Sequence, residues 1–417
     1  EKMPKTKREE ALPPQCESII AIAGSYEGGI YGWNSRYEET KDTSWKLGSP
    51  QVEWAFGGHM GAIKALAIDE SGSILATGGV DEYIKIYNLN TKKEKGELSQ
   101  HSGSITALKF YKSTHLISAS TDGTLCIWQT KDWMCLHIMG GHKGSITCIA
   151  IHPSGRMALS GSVDHTLRLW NLVEGKCAFI SKPNFTKPNL IEQIEWSPSG
   201  NSYAVVSNGV MNLYDATQEG KPKAFTSHSQ RQRINAVKFL SDERVLIGGD
   251  DCLVQILSCS TGEVLQKSEK GPARIKDISM LQTTMNKSPL LFSVSSNGNF
   301  QLWEAPSSED NALRVVGYGS APGATSRLTC AAVTTRSTTT SNTRGNTAIM
   351  TAAVVAEEED EDVEDEDVED EEVEDEDEKE YHETIGASSL LDELTNKTAG
   401  AIKSKDKKNK KNKRAKH

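Results

Sequence analysis

An all-β, seven-bladed β-propeller followed by a charged C-terminal tail is the architecture this sequence predicts. Three observations carry the prediction. A unit of four short apolar strands returns at His59, His101 and His142, spacings of 42 and 41 residues that fall in the range of a propeller blade. Each unit holds an Asp six residues before an aromatic: Asp81 and Tyr87, Asp122 and Trp128, Asp164 and Trp170. Strand-sized apolar runs are also left over at the two ends of the repeat, and they complement one another.

The unit at His142 shows why each segment is a strand. Residues 145–151 are rich in Ile and end at the turn signal His152-Pro-Ser-Gly155. Residues 156–162 make a second short strand, and Val163-Asp-His165 turns the chain again. Thr166-Leu-Arg-Leu-Trp170 alternates polar and apolar, as a half-buried strand must. Leu172-Val-Glu-Gly175 then turns into a fourth strand, Lys176-Cys-Ala-Phe-Ile180. One such sheet cannot bury both faces, so neighbouring units must stack around an axis.

The spacing is that of WD repeats, in which a His before the first strand, a Ser or Thr in the second, an Asp in the next turn and a Trp in the third form one hydrogen-bonded chain. The expected sets are His142, Ser160, Asp164 and Trp170; His101, Ser118, Asp122 and Trp128; and His59, Thr77, Asp81 and Tyr87. Tyr87 stands where the other two have Trp, which should weaken its network modestly. Buried polar groups of this kind must be paired to avoid a desolvation cost.

The remaining blades are degenerate but countable. First strands are expected to begin near Ile63, Ile105, Ile146, Ile191, Ile234 and Ile275, at intervals of 41 to 45 residues. A seventh, residues 327–333, follows the last complete blade. At the other end, residues 18–24 read as a second strand with no first strand before it, and Gly29 to Trp33 as its third. The surplus strand and the missing one close the ring in one mixed blade, which leaves no sheet edge at the seam. The expected organisation is a flank over 1–15, the propeller over 16–333, and a disordered tail over 334–417.

Charge is segregated in that tail. Residues 357–380 hold 20 acidic residues and one Lys, and residues 397–417 hold ten Lys or Arg and one Asp. The net charge of −10 therefore leaves the rest of the chain near neutral. Dense like charge with few aromatics reads as disorder. Ser388 to Leu394 could form a turn or two of helix on binding, a marginal length for an isolated one. Lys403, Lys405, Lys407, Lys408, Lys410, Lys411, Lys413, Arg414 and Lys416 are candidates for a nuclear or nucleolar address and for contacts to an RNA backbone. The acidic block reads as a spacer that keeps the tail extended, as a shield competing with RNA for the basic end, or as a dock for basic proteins.

No secretory signal is visible and no 18-residue apolar run exists, so no membrane span is expected. The chain opens Glu1-Lys2-Met3, so a natural start upstream is expected. Eight scattered cysteines with no Cys-x-x-Cys pair suit reduced thiols. Catalytic patterns fail. Gly175-Lys176 runs into Cys177, and Trp170 stands where a phosphate loop needs Gly. His382-Glu383 lacks the second His of a zinc-protease helix. The Ser, His and Asp of the networks recur three times, whereas a nucleophile needs one exposed site. The expectation is no enzyme, no cofactor, no metal and no small-molecule substrate. Tyr37 to Pro50 is an insertion between the third and fourth strands of the first blade, available for partner binding or for packing on the rim.

The blade words resemble one family. Residues 101–111, His115-Leu-Ile-Ser118, Asp122-Gly-Thr-Leu-Cys-Ile-Trp128 and Gly141-His-Lys-Gly144 leading to Ile151-His-Pro-Ser-Gly155 are similar to the PAK-interacting-protein family of nucleolar WD-repeat proteins, which includes the yeast maintenance-of-killer protein. Thr166 to Gly175 is the most specific stretch, supported by Ile194-Glu-Trp-Ser-Pro198 and Arg327-Leu-Thr-Cys330. The resemblance implies a scaffold in assembly of the large (60S) ribosomal subunit and pre-rRNA processing, in the nucleus and nucleolus, with pre-ribosomal proteins and pre-rRNA as partners. It also implies an alternative role, binding and negatively regulating p21-activated kinases. A further alternative is a substrate receptor of a cullin ubiquitin ligase, for which only Trp33-Asn34-Ser35-Arg36 approaches the expected Trp-Asp-x-Arg. The long acidic block and the degenerate fifth to seventh blades depart from the family.

Overall fold

Short runs of Ile, Val and Leu, broken every few residues by Asp, Gly and Ser, favour strands and tight turns over helices. The computed structural model describes residues 17–39, 45–183, 190–216, 222–227, 232–282, 288–306, 313–322 and 326–337, and these hold strands and no helix. Blade 1 contributes β1 (Glu17–Ser25), β2 (Gly29–Glu39), β3 (Trp45–Leu47) and β4 (Gln51–Gly57). Blade 2 is β5 (Ile63–Ile68), β6 (Ile74–Gly79), β7 (Ile84–Asn88) and β8 (Lys93–Leu98). Blade 3 is β9 (Ile105–Tyr111), β10 (His115–Ser120), β11 (Leu125–Gln129) and β12 (Cys135–Met139). Blade 4 is β13 (Ile146–Ile151), β14 (Met157–Ser162), β15 (Leu167–Asn171) and β16 (Lys176–Ser181).

The degenerate blades have the same plan. Blade 5 is β17 (Gln193–Trp196), β18 (Ser202–Ser207), β19 (Val210–Asp215) and β20 (Pro222–Ser227). Blade 6 is β21 (Ile234–Phe239), β22 (Arg244–Gly249), β23 (Val254–Ser258) and β24 (Val264–Lys267). Blade 7 is β25 (Ile275–Leu281), β26 (Leu290–Ser295), β27 (Asn299–Glu304) and β28 (Arg314–Ser320). The last strand, β29 (Leu328–Ser337), returns to blade 1 and pairs antiparallel with β1, Ile22 opposite Ala332 and Ser18 opposite Arg336. Seven blades and the mixed closing sheet are as the sequence predicts.

Closure runs further than Val333. β29 continues to Ser337, and Thr334 is buried. Arg336 explains the extension: its guanidinium bonds Glu53 on β4 at 3.0 Å and the Leu89 carbonyl at 2.7 Å, tying the strand's end to blades 1 and 2. β2 is likewise longer than expected, because residues beyond Trp33 form a hairpin with β3, Tyr37 opposite Leu47. Residues 1–15, the acidic block, Ser388 to Leu394 and the basic end over 397–417 lie outside the described residues.

The core lies between blades. Ile63, Leu75 and Tyr87 of blade 2 pack on Ile20, Ile22 and Ile30 of blade 1, and Trp33 of blade 1 packs on Phe292 and Phe300 of blade 7. One device recurs. The first Ile of a blade fills a hole left by a Gly on the second strand of the blade before. A Cβ on Gly78 would come within 2.4 Å of Ile105 Cγ2, and one on Gly161 within 2.4 Å of Ile191 Cγ2. Ile191 thus occupies its expected register, although β17 begins two residues later.

Candidate functional site

Three networks form in the described residues. In blade 4, His142 Nδ1 lies 2.9 Å from Asp164 Oδ2 and its Nε2 lies 2.7 Å from Ser160 Oγ. The Trp170 indole N–H donates to Ser160 Oγ at 2.7 Å. In blade 3, His101 lies 3.0 Å from Asp122 and 2.8 Å from Ser118, and Trp128 donates to Ser118 at 2.9 Å. In blade 2, His59 lies 2.8 Å from Asp81 and 2.7 Å from Thr77.

The Tyr87 hydroxyl breaks the pattern. It sits near Thr77 and Glu94 but meets no partner in hydrogen-bond geometry among the described residues. Its ring instead packs on Phe56, centroids 5.2 Å apart.

Protonation fixes the direction of each chain. Burial pushes the His142 imidazole below its ordinary value, and the nearby Asp164 only partly offsets this. Burial opposes ionisation of Asp164, but hydrogen bonds from Thr166 and His142 win and hold the carboxyl well below the usual range. Neutral His142 therefore donates from Nδ1 to a carboxylate and accepts the Ser160 hydroxyl proton at Nε2. The connectivity is that of a hydrolytic triad, yet Ser118 and Ser160 are completely buried, so neither oxygen can meet a substrate. The next residues, Met60, Ser102 and Lys143, donate backbone N–H groups to the same three Asp carboxylates. The networks pin the turns of blades 2 to 4.

A fourth partial network is present in blade 7. The Trp303 indole donates to Ser293 Oγ at 2.8 Å, with the Ser ten residues before the Trp as in blades 3 and 4. That spacing is the signal by which the sequence reveals it. Gly271 stands four residues before Ile275, where blades 2 to 4 have His, so the chain stops at Ser293.

The axial channel holds a charge cluster that no local motif announces. Its cavity of about 360 Å³ is lined by first strands of the blades. Glu195 of blade 5 reaches Lys109 of blade 3 at 3.6 Å and Lys238 of blade 6 at 3.1 Å. Asp277 of blade 7 accepts the Ala331 N–H at 2.9 Å, linking blade 7 to the closing strand. Burial works against the Glu195 carboxylate, but the two ammonium groups hold its pKa low. Burial raises that of Asp277.

The two loop faces differ. On the lower face, turns between first and second strands are sewn blade to blade. Ser113 donates to Asp69 at 2.8 Å, Tyr111 to the Ser154 carbonyl at 3.1 Å, and His152 to the Gly200 carbonyl at 3.3 Å. The Ser199 N–H reaches Asp242 at 3.1 Å. On the upper face, turn tips present Tyr26, Met60, Val80, Tyr83 and Val163 to solvent.

The described part of the blade 1 insertion packs on the rim. Tyr37 and Leu47 are buried in the cluster shared with blade 7, and Pro50 lies against Gly317. Trp33-Asn34-Ser35-Arg36 lies within β2, with Trp33 in the core and Arg36 exposed. The described cysteines are free thiols, and burial pushes the Cys148 thiol up to about 12. Among the described residues no cluster of His, Cys, Asp or Glu has the make-up of a metal site, and no helix could cross a membrane.

Comparison with known proteins adds the family. The model described as "WD domain, G-beta repeat" matches residues 50–88, 92–129 and 133–171. The chain is 34% identical over 312 residues to p21-activated protein kinase-interacting protein 1-like of Gallus gallus, covering 75% of this chain and 79% of that one. It is 28% identical to Shk1 kinase-binding protein 15 of Schizosaccharomyces pombe, over 68% of this chain and 76% of that one. It is also 28% identical to Protein MAK11 of Saccharomyces cerevisiae, over 70% of this chain and 79% of that one. A seven-bladed ring with three buried networks, the WD-repeat match and 34% identity over three quarters of the chain thus place this chain in the PAK-interacting protein and MAK11 family of WD-repeat proteins.

Proposed function

We propose that this protein is a non-catalytic scaffold in nucleolar assembly of the large (60S) ribosomal subunit and in pre-rRNA processing. The observation that carries the reading is likeness over 70% of this chain to Protein MAK11, a member of the family. The lysine-rich end over 397–417 supports it: lysines that neutralise phosphates release counterions and give salt-sensitive RNA affinity. The propeller, near neutral, supplies shape and rim side chains for choosing protein partners. Depleting the protein is expected to lower large subunits relative to small ones and to accumulate large-subunit rRNA precursors. Removing residues 403–417 is expected to reduce nucleolar enrichment and RNA crosslinking while the propeller stays folded. Normal subunit ratios and precursor levels after thorough depletion would defeat the reading.

A second reading is favoured by the relatives' names, which describe kinase-interacting and kinase-binding proteins. On it the propeller is an adaptor that binds and restrains a p21-activated kinase. Purification of the tagged protein separates the two: pre-rRNA with large-subunit factors supports the first, and a kinase without RNA supports the second.

A further inference from the structure

Each blade of a propeller ends in an outer strand whose far edge has no neighbour. Such an edge is a row of unpaired N–H and C=O groups, and proteins normally guard it with charge. The outer strands here follow that rule with one exception. β4 carries Glu53, β8 carries Lys93, Glu94, Lys95 and Glu97, β16 carries Lys176, β20 carries Lys223, β24 carries Lys267 and β28 carries Arg314. β12, Cys-Leu-His-Ile-Met, carries no Lys, Arg, Asp or Glu. It pairs only with β11, so its other edge is free among the described residues.

Aliphatic side chains stand exposed on and around β12. On the strand Ile138 is 56% and Leu136 38% exposed, and Met134, just before it, is 55% exposed. The blade 4 turn over 172–175 abuts the strand, for a Cβ on Gly175 would meet the His137 ring at 2.6 Å. That turn exposes Val173 at 68%. Just past the strand, nothing lies within 4 Å of the place a Cβ on Gly140 would take. Solvent leaves the edge backbone satisfied only by water and leaves the aliphatic groups wet. A strand laid along it corrects both at once.

We propose that the free edge of β12 is a docking site for an extended, apolar segment of a partner protein, added as a fifth strand to blade 3. The backbone edge dictates that the occupant be a strand, since only a strand offers donors and acceptors at matching intervals. The unguarded side chains dictate its chemistry: aliphatic or aromatic groups on the side facing Met134, Leu136 and Ile138, and no charge there. A nucleic acid is a poor match, because this edge has no cation for a phosphate. The site does not depend on the ribosomal reading above.

The test uses the full chain and a fluorescein-labelled octapeptide that alternates Val and Thr between terminal lysines. Binding is read by anisotropy, and its place by hydrogen exchange. At a peptide concentration about ten times Kd, outward-facing amides of 135–139 are expected to exchange roughly tenfold more slowly, while those of β8 do not change. Ile138→Lys places a guard charge on the edge and is expected to abolish saturable binding without shifting Tm, as Ile138 is half exposed. Leu136→Lys serves the same purpose should that variant fold poorly, and Ile138→Val should keep binding. No protection at 135–139, or equal binding by the Ile138→Lys and native proteins, overturns the proposal. So does self-association of the protein alone that Ile138→Lys removes, for then a second copy occupies the edge.

Discussion

Blades 2 to 4 and blades 5 to 7 share one shape and are held by different means. In blades 2 to 4 a buried His joins an Asp in the upper turn to a Ser or Thr in the second strand. In blade 6 the positions of that Ser and of the Trp are taken by Ile247 and Leu257, both completely buried or nearly so. Blade 5 has Val205 and Tyr214 there, and blade 7 keeps only Ser293 and Trp303. What all share is the apolar seam between neighbours, where Ile275 sits against Gly248 as Ile105 sits against Gly78. Packing therefore sets the blade, and the polar network adds a pinned upper turn. Burying a polar group gains little beyond an apolar one unless its partners are present.

The largest expected effect comes from breaking what both halves depend on. Truncation after Pro322 removes β29, exposes the edge of β1 and strips Asp277 of its Ala331 partner. Scanning calorimetry should show the cooperative transition lost or moved far down. A truncated chain that melts like the full one would mean the ring does not need its seam.

Within blade 4, Trp170→Ala should cost about 3–5 kcal/mol through its cavity, and Asp164→Ala about 1–3 kcal/mol through partners left unpaired. Denaturant titration measures both. Full stability in either variant would remove the network from the list of supports. Gly161→Ala tests the seam: its Cβ would sit 2.4 Å from Ile191, and overpacking of this sort costs about 1–3 kcal/mol. Ile191→Ala in the same chain should recover part of that loss.

Acid should separate the halves. Burial depresses the His59, His101 and His142 imidazoles below the ordinary 6.5. The unfolded chain then binds more protons as pH falls through 6.5, so stability drops from there down to the folded values. Asp122 and Asp164 have depressed folded values, so their contribution is present above 3.8 and is lost as pH falls further. Hydrogen exchange at decreasing pH should loosen the upper turns of blades 2 to 4 before those of blades 6 and 7. Uniform loosening would contradict the division.

The smallest effect concerns Tyr87. Its hydroxyl is buried without a partner, so Tyr87→Phe should change stability by less than about 0.5 kcal/mol, whereas Trp128→Phe loses a bond worth roughly 1 kcal/mol. A costly Tyr87→Phe would show that Thr77 or Glu94 engages the hydroxyl in solution.

Blades 2 to 4 are legible in the sequence because their networks need fixed residue types at fixed separations. Blades 5 to 7 are legible only through the first-strand Ile, since a seam accepts any aliphatic group of suitable volume. Trp303 hides because the stretch between β25 and β26 lengthens blade 7, displacing Ser293 from Ile275 while leaving the ten-residue step to the Trp intact. Lys109, Glu195 and Lys238 hide for another reason: each is one polar residue in an ordinary strand, and only ring closure brings three distant blades to one axis. The unguarded β12 becomes visible only by comparing outer strands once each is known to be an edge. The basic end, read from composition alone, stands as a proposal.

The pairing of β1 with β29 sets a clock on synthesis. Ser18 bonds the carbonyl of Arg336, 318 residues away. Ribosomes add roughly 5–20 residues per second, so β1 waits on the order of 15–60 s with its inner edge bare after it emerges. Blades 2 to 4 pass through first and carry the pinned turns, so a partly built arc can hold its shape meanwhile. The last dozen described residues convert that arc into a ring. A nascent chain stalled before Leu328 would carry the sticky edge indefinitely, and a holdase that binds strand edges would find its target there.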